Sequence, residues 1–137
     1  MSSLVIVVGL PGSGKTHYCQ NFVETHAIFD DYLSSLFDGS LVKALKEGRK
    51  VCVTDPRLTR MDILKRQLKM FSSYFKKEDT LLVLFSHDAE RCLENALRRG
   101  SSMKIKNDID RMSPSYQELL ASIDELSDYA IERISVY

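Results

Sequence analysis

Continuous apolar runs alternate along the chain with segments in which apolar residues recur every three or four positions. The runs at 4–8, 50–55 and 80–85 are rich in β-branched residues and are typical of strands buried on both faces of a sheet. A shorter apolar piece at 27–29, which ends in two aspartates, and the segment 131–137 predict two further strands.

Helical periodicity fills the intervals between the predicted strands. Strand, helix, strand requires crossover connections, so the pattern predicts an α/β fold with a parallel sheet covered on both faces, in one domain over 1–137. The predicted helices run from about Gly14 to Glu24, from the N-cap Ser40 to Gly48, over 59–75, over 87–100, and from Pro114 behind a Ser113 cap, after a polar segment that ends near Arg111.

A phosphate-binding motif follows the first strand directly. Gly9, Gly14, Lys15 and Thr16 match G-x-x-x-x-G-K-[ST] between a strand and a helix. Glycines let backbone N–H groups turn toward an anion, the helix adds the positive end of its dipole, lysine adds a charge, and the threonine hydroxyl can ligate Mg²⁺. The motif predicts a site for ATP or another nucleoside triphosphate at Gly9, Pro11, Gly12, Ser13, Gly14, Lys15 and Thr16.

Acidic side chains follow two of the predicted strands, at the sheet edge where ligands of parallel sheets bind. Asp55 is expected to join Thr16 as a ligand of Mg²⁺. The alternative is that Asp55 is a helix N-cap, because Pro56 follows it at a helix-start position. Asp30 and Asp31 suit a general base on a hydroxyl acceptor, with Asp30 preferred, and capping of a turn is the alternative role.

Two arginines, Arg98 and Arg99, end the fourth predicted helix. Phosphoryl transfer spreads negative charge over the transferred group, and an arginine there can neutralise it. Arg99 is preferred for this role, with Arg98 as a second nucleotide contact; a basic last turn that complements the helix dipole is the alternative.

Composition limits the classes of function. Nineteen basic and nineteen acidic residues give zero net charge, so a nucleic acid would have to be held by a local patch. One such patch is the basic run over 57–77, while the end of the chain is acidic. No apolar run reaches membrane-spanning length and three separated cysteines suggest reduced thiols, so we expect a cytoplasmic protein without a membrane partner.

The motifs GLPGSGKT, FDDYL, VCVTDPRL and ERCLENALRRGS, in this order, resemble those of small P-loop kinases. The similarity is greatest to phage-type 5′-hydroxyl polynucleotide kinases, with zeta toxins as more distant relatives. It implies a three-layer fold with a five-stranded parallel sheet in the order 2-3-1-4-5, a short lid near 99–107, and a phage or viral origin. It also implies Asp30 as general base, Asp55 as metal or acceptor support, and Arg99 as the lid arginine on the donor phosphates.

The sequence departs from this family at three positions. Leu33 stands where polynucleotide kinases carry an arginine for the acceptor's phosphate, Asn95 replaces a second lid arginine, and Arg57 replaces a frequent asparagine. Arg57 and Arg60 could supply a replacement clamp, so the expected acceptor site comprises Asp30, Asp31, Arg57 and Arg60.

Three functions are compatible with these residues. The leading expectation is an ATP- and Mg²⁺-dependent kinase that moves the γ-phosphate to a hydroxyl, foremost the 5′ end of a nucleic acid. The second is the same chemistry on a nucleoside, nucleotide or sugar. The third is a nucleotide-binding accessory protein without transfer activity, which the missing family arginines would allow. The sequence leaves the oligomeric state open.

Overall fold

A five-stranded parallel sheet forms the centre of the protein in the computed structural model, which describes residues 2–100 and 103–137. Its order is β2-β3-β1-β4-β5, which confirms the order implied by the family resemblance. The strands are β1 (Leu4–Val8), β2 (Ala27–Asp30), β3 (Val51–Thr54), β4 (Thr80–Phe85) and β5 (Ala130–Ile134).

Helices cover both faces of this sheet. They are α1 (Lys15–Cys19), α2 (Ser40–Lys46), α3 (Met61–Phe71), α4 (Ala89–Arg98) and α5 (Met103–Ala121). Short 3₁₀ turns lie at Gln20–Phe22, Tyr32–Asp38, Pro56–Thr59, Lys77–Asp79 and Ile123–Leu126.

The period-two alternation of β1 divides the core into two layers. Leu4, Ile6 and Val8 point to the layer that contains apolar residues of α2, α3 and α5. Val5 and Val7 point to the layer that contains α1. Every residue of β1 is buried, as expected for the middle strand of a sheet covered on both faces.

The first helix is shorter than its sequence pattern predicts. Periodicity placed it from Gly14 to Glu24, but α1 ends at Cys19 and a tight 3₁₀ turn follows. Cys19 is the last residue of α1 packed against the sheet, and Val23 is half exposed. Phe22 of the 3₁₀ turn still packs against the sheet, but beyond it further helical turns would bury little apolar surface, so the chain turns into β2 instead.

The last helix begins earlier than predicted, and Pro114 lies inside it rather than at its start. The prediction of a polar segment up to Arg111 followed by a helix capped by Ser113 is therefore wrong. A stripe of apolar residues holds the whole of α5 on the core, and its burial outweighs the one backbone hydrogen bond that the proline removes. The residues of this stripe are Ile105, Ile109, Met112, Tyr116 and Leu119.

The predicted short lid falls partly outside the described residues. Residues 101 and 102 are not described, and 103–107 form the first turns of α5. Among the helices of 2–100 and 103–137, none is both long and apolar enough to cross a membrane.

Candidate active site

The loop of the predicted phosphate-binding motif, residues 9–14 (hereafter the phosphate-binding loop), connects the C-terminal end of β1 to α1. The N–H of Ser13 donates to the carbonyl of Leu10 at 3.1 Å, and the N–H of Tyr18 donates to the carbonyl of Gly14 at 2.9 Å. Gly14 precedes α1 with a φ of 105°, a left-handed conformation that favours glycine. The loop thus curls around the start of the helix, as an anion site requires.

Two glycines of this loop lie against other parts of the chain so closely that no side chain would fit. A Cβ atom on Gly12 would lie 2.2 Å from the carbonyl oxygen of Cys92 in α4. A Cβ atom on Gly14 would lie 2.2 Å from the ring of Tyr137. The glycines therefore serve tight packing of the loop as well as its curvature.

Lys15 is buried at the base of the loop, where its Nζ donates to the carbonyl of Leu10 at 2.9 Å. Burial lowers the pKa of this ammonium group from 10.5 to about 8, although nearby acidic groups partly oppose the shift. Within the described residues no carboxylate bonds to this ammonium group, so an anion in the loop would stabilise it. The site is therefore suited to a phosphate group.

Thr16 and Asp30 are in direct contact. The Thr16 hydroxyl donates to Oδ2 of Asp30 at 2.6 Å, so the start of α1 is joined to the end of β2. A hydroxyl and a carboxylate are hard oxygen ligands, and together they fit Mg²⁺. Both residues line a cavity of about 300 Å³ that also contains Lys15, Asp31 and Arg99.

Asp55 lies deep at the end of β3, with both oxygens occupied. Oδ1 accepts from the backbone N–H and the Nε of Arg57 at 2.8 and 2.9 Å. Oδ2 accepts from Arg57 NH2 at 2.8 Å and from the Leu33 N–H at 3.0 Å. Burial by itself would raise the pKa of Asp55, but the bonds from Arg57 and Leu33 hold it below its ordinary value.

These contacts show the N-cap alternative for Asp55, and its expected role toward Mg²⁺ stays a prediction. Its side chain caps the 3₁₀ turn that begins at Pro56, and it is fully buried. The carboxylate that contacts Thr16 belongs to Asp30 instead. Within the described residues, no hydrogen bond joins Asp55 to Thr16.

Arg57 lies beside the site, whereas Arg60 does not. Beyond Asp55, the NH2 group of Arg57 donates to Ser34 Oγ at 2.7 Å and to Asp31 Oδ1 at 3.4 Å, which ties the turn after β2 to the end of β3. Arg60 instead forms an ion pair with Asp62 and lines a separate depression between α3 and α5. The structure therefore brings Asp30, Asp31 and Arg57 together and leaves Arg60 outside.

A second cavity, of about 390 Å³, opens on the other side of the loop. It shares Gly12, Gly14 and Arg99 with the first cavity, so Arg99 lies where the two meet. Arg98 lines only the larger one. This placement agrees with the preference for Arg99 over Arg98 at the donor phosphates, a role that remains a prediction.

Sequence reasoning missed the aromatic wall of the larger cavity. The rings of His17 and Tyr137 meet edge to face with centroids 4.8 Å apart. His17 could have been found from its place directly after the phosphate motif. Tyr137 is distant in sequence and gives no local signal, because only the parallel pairing of β4 with β5 brings it beside the loop.

Four of the seven basic residues in the run over 57–77 are paired with acidic residues. Besides the pairs of Arg57 and Arg60, Lys65 contacts Glu125 and Lys77 lies 3.2 Å from Asp128. The acidic end of the chain thus neutralises part of the surface on which a nucleic-acid partner was expected.

No family model matches the chain. In sequence, it is 36% identical over 117 residues to the uncharacterized protein R277 of Acanthamoeba polyphaga mimivirus, a match that covers 82% of this chain and 85% of the relative. In structure, it resembles a chain from a study of the PezAT chromosomal toxin–antitoxin system of Streptococcus pneumoniae. The TM-score is 0.67 at 18% identity, with 98% of this chain and 68% of that chain covered.

The two comparisons carry different conclusions. At 18% identity, the structural likeness establishes a shared fold, the three-layer P-loop kinase fold. The sequence match extends over most of both proteins. The chain therefore belongs to the same family as this mimivirus protein.

Proposed function

We propose that the protein is a Mg²⁺-dependent phosphotransferase that moves the γ-phosphate of ATP, or of another nucleoside triphosphate, to a hydroxyl group. The observation that carries the proposal is the contact of Thr16 with Asp30, because it sets a carboxylate directly beside the phosphate-binding loop. The P-loop kinase fold supports the reaction class, and the mimivirus relative supports a viral origin.

The donor is held by the loop and by two basic side chains. Its outer phosphates lie against the loop amides and Lys15, and Arg99 reaches them from the junction of the two cavities. The nucleoside occupies the larger cavity beside His17 and Tyr137. Lys15 and Arg99 then stabilise the charge that develops on the transferred group.

The chain's own groups for Mg²⁺ are the Thr16 hydroxyl and the Asp30 carboxylate. When bound, the ion would neutralise negative charge on the donor phosphates. Asp55 supports the site from below by holding Arg57 and the turn at Leu33.

Asp30 takes the proton of the acceptor hydroxyl. Its Oδ2 is engaged with Thr16, and within the described residues its Oδ1 accepts no hydrogen bond. The acceptor oxygen forms a bond to the γ-phosphorus as the bond to the β,γ-bridging oxygen breaks, the proton passes to Asp30, and the nucleoside diphosphate leaves. Asp31 is less suited to this role because Arg57 pairs with it.

A small acceptor, such as a nucleoside, nucleotide or sugar, is favoured over a nucleic acid. The smaller cavity has a volume of about 300 Å³, and the γ-phosphate takes part of it. The ion pairs of Lys65 and Lys77 weaken the electrostatic attraction for a polyanion. A nucleic acid 5′ end is the second candidate, supported by the exposed Arg66 and Lys69, which form no ion pair within the described residues.

Transfer of labelled γ-phosphate tests the proposal. MgATP is offered with nucleosides, nucleoside monophosphates and sugars in parallel, and with 5′-hydroxyl DNA and RNA. Asp30→Asn should lower the transfer rate about 10²- to 10⁴-fold while changing ATP affinity little in EDTA, where no metal contributes to binding. Asp31→Asn is the matched control, because it removes the same charge one residue away.

Each result has a defined reading. Label on a small molecule supports the favoured acceptor class, and label on an oligonucleotide end supports the second candidate. Equal activity of Asp30→Asn and the wild type would overturn the role of Asp30. Binding of ATP without transfer to any acceptor would support the accessory-protein alternative.

A further inference from the structure

Asn95 in α4 bridges two parts of the chain that line the larger cavity. Its Nδ2 donates to the carbonyl of Gly12 at 3.0 Å and to the backbone oxygen of Tyr137 at 2.5 Å. The amide nitrogen must face these atoms, because the amide oxygen would meet two acceptors. One side chain therefore connects the phosphate-binding loop to the segment that follows β5.

Further contacts near this bridge hold Tyr137 against the loop and α4. The Tyr137 N–H donates to the carbonyl of Ser13 at 3.3 Å, and Nε of Arg91 donates to the backbone oxygen of Tyr137 at 2.8 Å. The Tyr137 ring lies where a side chain on Gly14 would be. The phosphate-binding loop, the Tyr137 ring and α4 thus meet at one place in the structure.

We propose that Asn95 is a positioning residue that fixes the Tyr137 ring against the phosphate-binding loop, so that the nucleoside and the phosphates of one donor are held together. The inference rests on the proposed function, since it assumes that the larger cavity receives the nucleoside. An arginine at this position would place its charge in the cavity. The shorter amide instead forms bonds to the backbone on both sides.

The proposal predicts that loss of Asn95 affects the binding of ATP and of inorganic tripolyphosphate differently. Inorganic tripolyphosphate occupies only the loop, whereas ATP also needs the aromatic wall. If Asn95 positions that wall, its loss weakens ATP binding and leaves tripolyphosphate binding nearly unchanged. If Asn95 only supports the loop, both ligands weaken together.

Calorimetric titration of the full chain with MgATP and with magnesium tripolyphosphate separates these cases. Asn95→Leu keeps the approximate size of the side chain and removes both hydrogen bonds. We expect ATP affinity to fall roughly three- to tenfold, and tripolyphosphate affinity to change less than about twofold. Asn107→Leu, on an exposed position of α5, is the matched control and should change neither affinity.

A double-mutant cycle with Tyr137→Ala completes the test. Tyr137→Ala alone should weaken ATP binding and spare tripolyphosphate. In that background, Asn95→Leu should have almost no further effect on ATP, because the ring that it positions is gone. Thermal melting of each variant shows whether it is folded. Asn95→Asp is a second variant for the ligand titrations, because its carboxylate oxygens accept hydrogen bonds and cannot donate to the two carbonyls.

Two results would overturn the inference: equal weakening of both ligands by Asn95→Leu, or fully additive effects of Asn95→Leu and Tyr137→Ala on ATP. A wild-type protein that binds no ATP would overturn both this inference and the proposed function. ATP binding without phosphate transfer would overturn only the transfer reaction and leave the role of Asn95 intact.

Discussion

The hydroxyl of Thr16 lies 2.6 Å from Oδ2 of Asp30 and donates a hydrogen bond to it. This contact crosses the sheet edge from the start of α1 to the end of β2, two strands away from β1 in the sheet. It brings the expected metal ligand of the phosphate motif to the expected general base. The proposed chemistry is concentrated at this pair.

Removing the hydroxyl should expose a dependence on metal. Thr16→Val is expected to lower ATP affinity roughly tenfold or more with Mg²⁺ present, and to change it little in EDTA. Titration of ATP under both conditions measures the difference, and Thr16→Ser, which keeps the hydroxyl, is the control. Equal losses with and without Mg²⁺ would contradict a role for Thr16 in holding the ion.

Replacing the buried lysine should separate stability from binding. Lys15→Met is expected to raise the free energy of unfolding by roughly 1 to 3 kcal/mol near pH 7, because the buried ammonium is destabilised in the protein without ligand. The same variant should lose measurable nucleotide binding. Urea unfolding measures the first effect and ATP titration the second. A less stable Lys15→Met protein would show that the charge is already well stabilised.

The lowered pKa of Lys15 also predicts two opposite dependences on pH. The unfolded chain holds the lysine proton up to about pH 10.5 and the folded protein only to about pH 8. Between these values the unfolded state binds more protons, so the stability of the ligand-free protein should rise with pH.

Binding of ATP should weaken over the same range, because the phosphates need the charged ammonium. The affinity should be constant below about pH 8 and then fall by up to about tenfold per pH unit. Calorimetric titrations from pH 7 to pH 10 measure this. An affinity independent of pH would rule out the ammonium as a major phosphate contact.

The ion pair of Arg57 with Asp55 should contribute mainly to the stability of the protein. Arg57→Met leaves a buried carboxylate without its partner and is expected to cost roughly 1 to 3 kcal/mol of stability, a value reduced because the arginine side chain is 45% exposed. Because the pKa of Asp55 is lowered in the folded state, the wild-type advantage should shrink as the pH falls below the ordinary range of aspartate.

Urea unfolding at several pH values checks this expectation. Arg60→Met is the matched control, since its partner Asp62 is exposed and the loss should stay within about 0.5 kcal/mol. If both variants unfold at the same urea concentration, Asp55 does not depend on Arg57.

Tyr116 should stabilise the strand ends beneath the loop. Its hydroxyl is buried within hydrogen-bond distance of the carbonyls of Val8, at 3.2 Å, and of Phe85. Tyr116→Phe should lower the free energy of unfolding by roughly 1 to 2 kcal/mol, because these carbonyls lose their donor. Chemical unfolding tests this, with the exposed Tyr74→Phe as control; an unchanged stability would mean that the bond contributes nothing.

Much of the fold could be predicted because its signals are local. The β-branched runs of β1, β3 and β4 can only be buried in a covered sheet, and the glycines before Lys15 mark the turn into α1. The predicted start of α5 was wrong because Pro114 is a strong local signal for a helix start. The apolar stripe from Ile105 to Leu119 extends across it, and tertiary packing decides in its favour.

By itself, the sequence determined the candidate residues for phosphate binding, since the motif from Gly9 to Thr16 depends on local backbone geometry. It also placed Asp30 and Asp55 at the same sheet edge, because parallel strands end together. Only the tertiary structure decided which carboxylate meets Thr16. Arg57 lies close enough to Asp55 to donate hydrogen bonds to its carboxylate, whereas the carboxylate of Asp30 accepts from the Thr16 hydroxyl. The aromatic wall of Tyr137 likewise exists only because β5 pairs with β4, a contact between residues distant in sequence that no local pattern encodes.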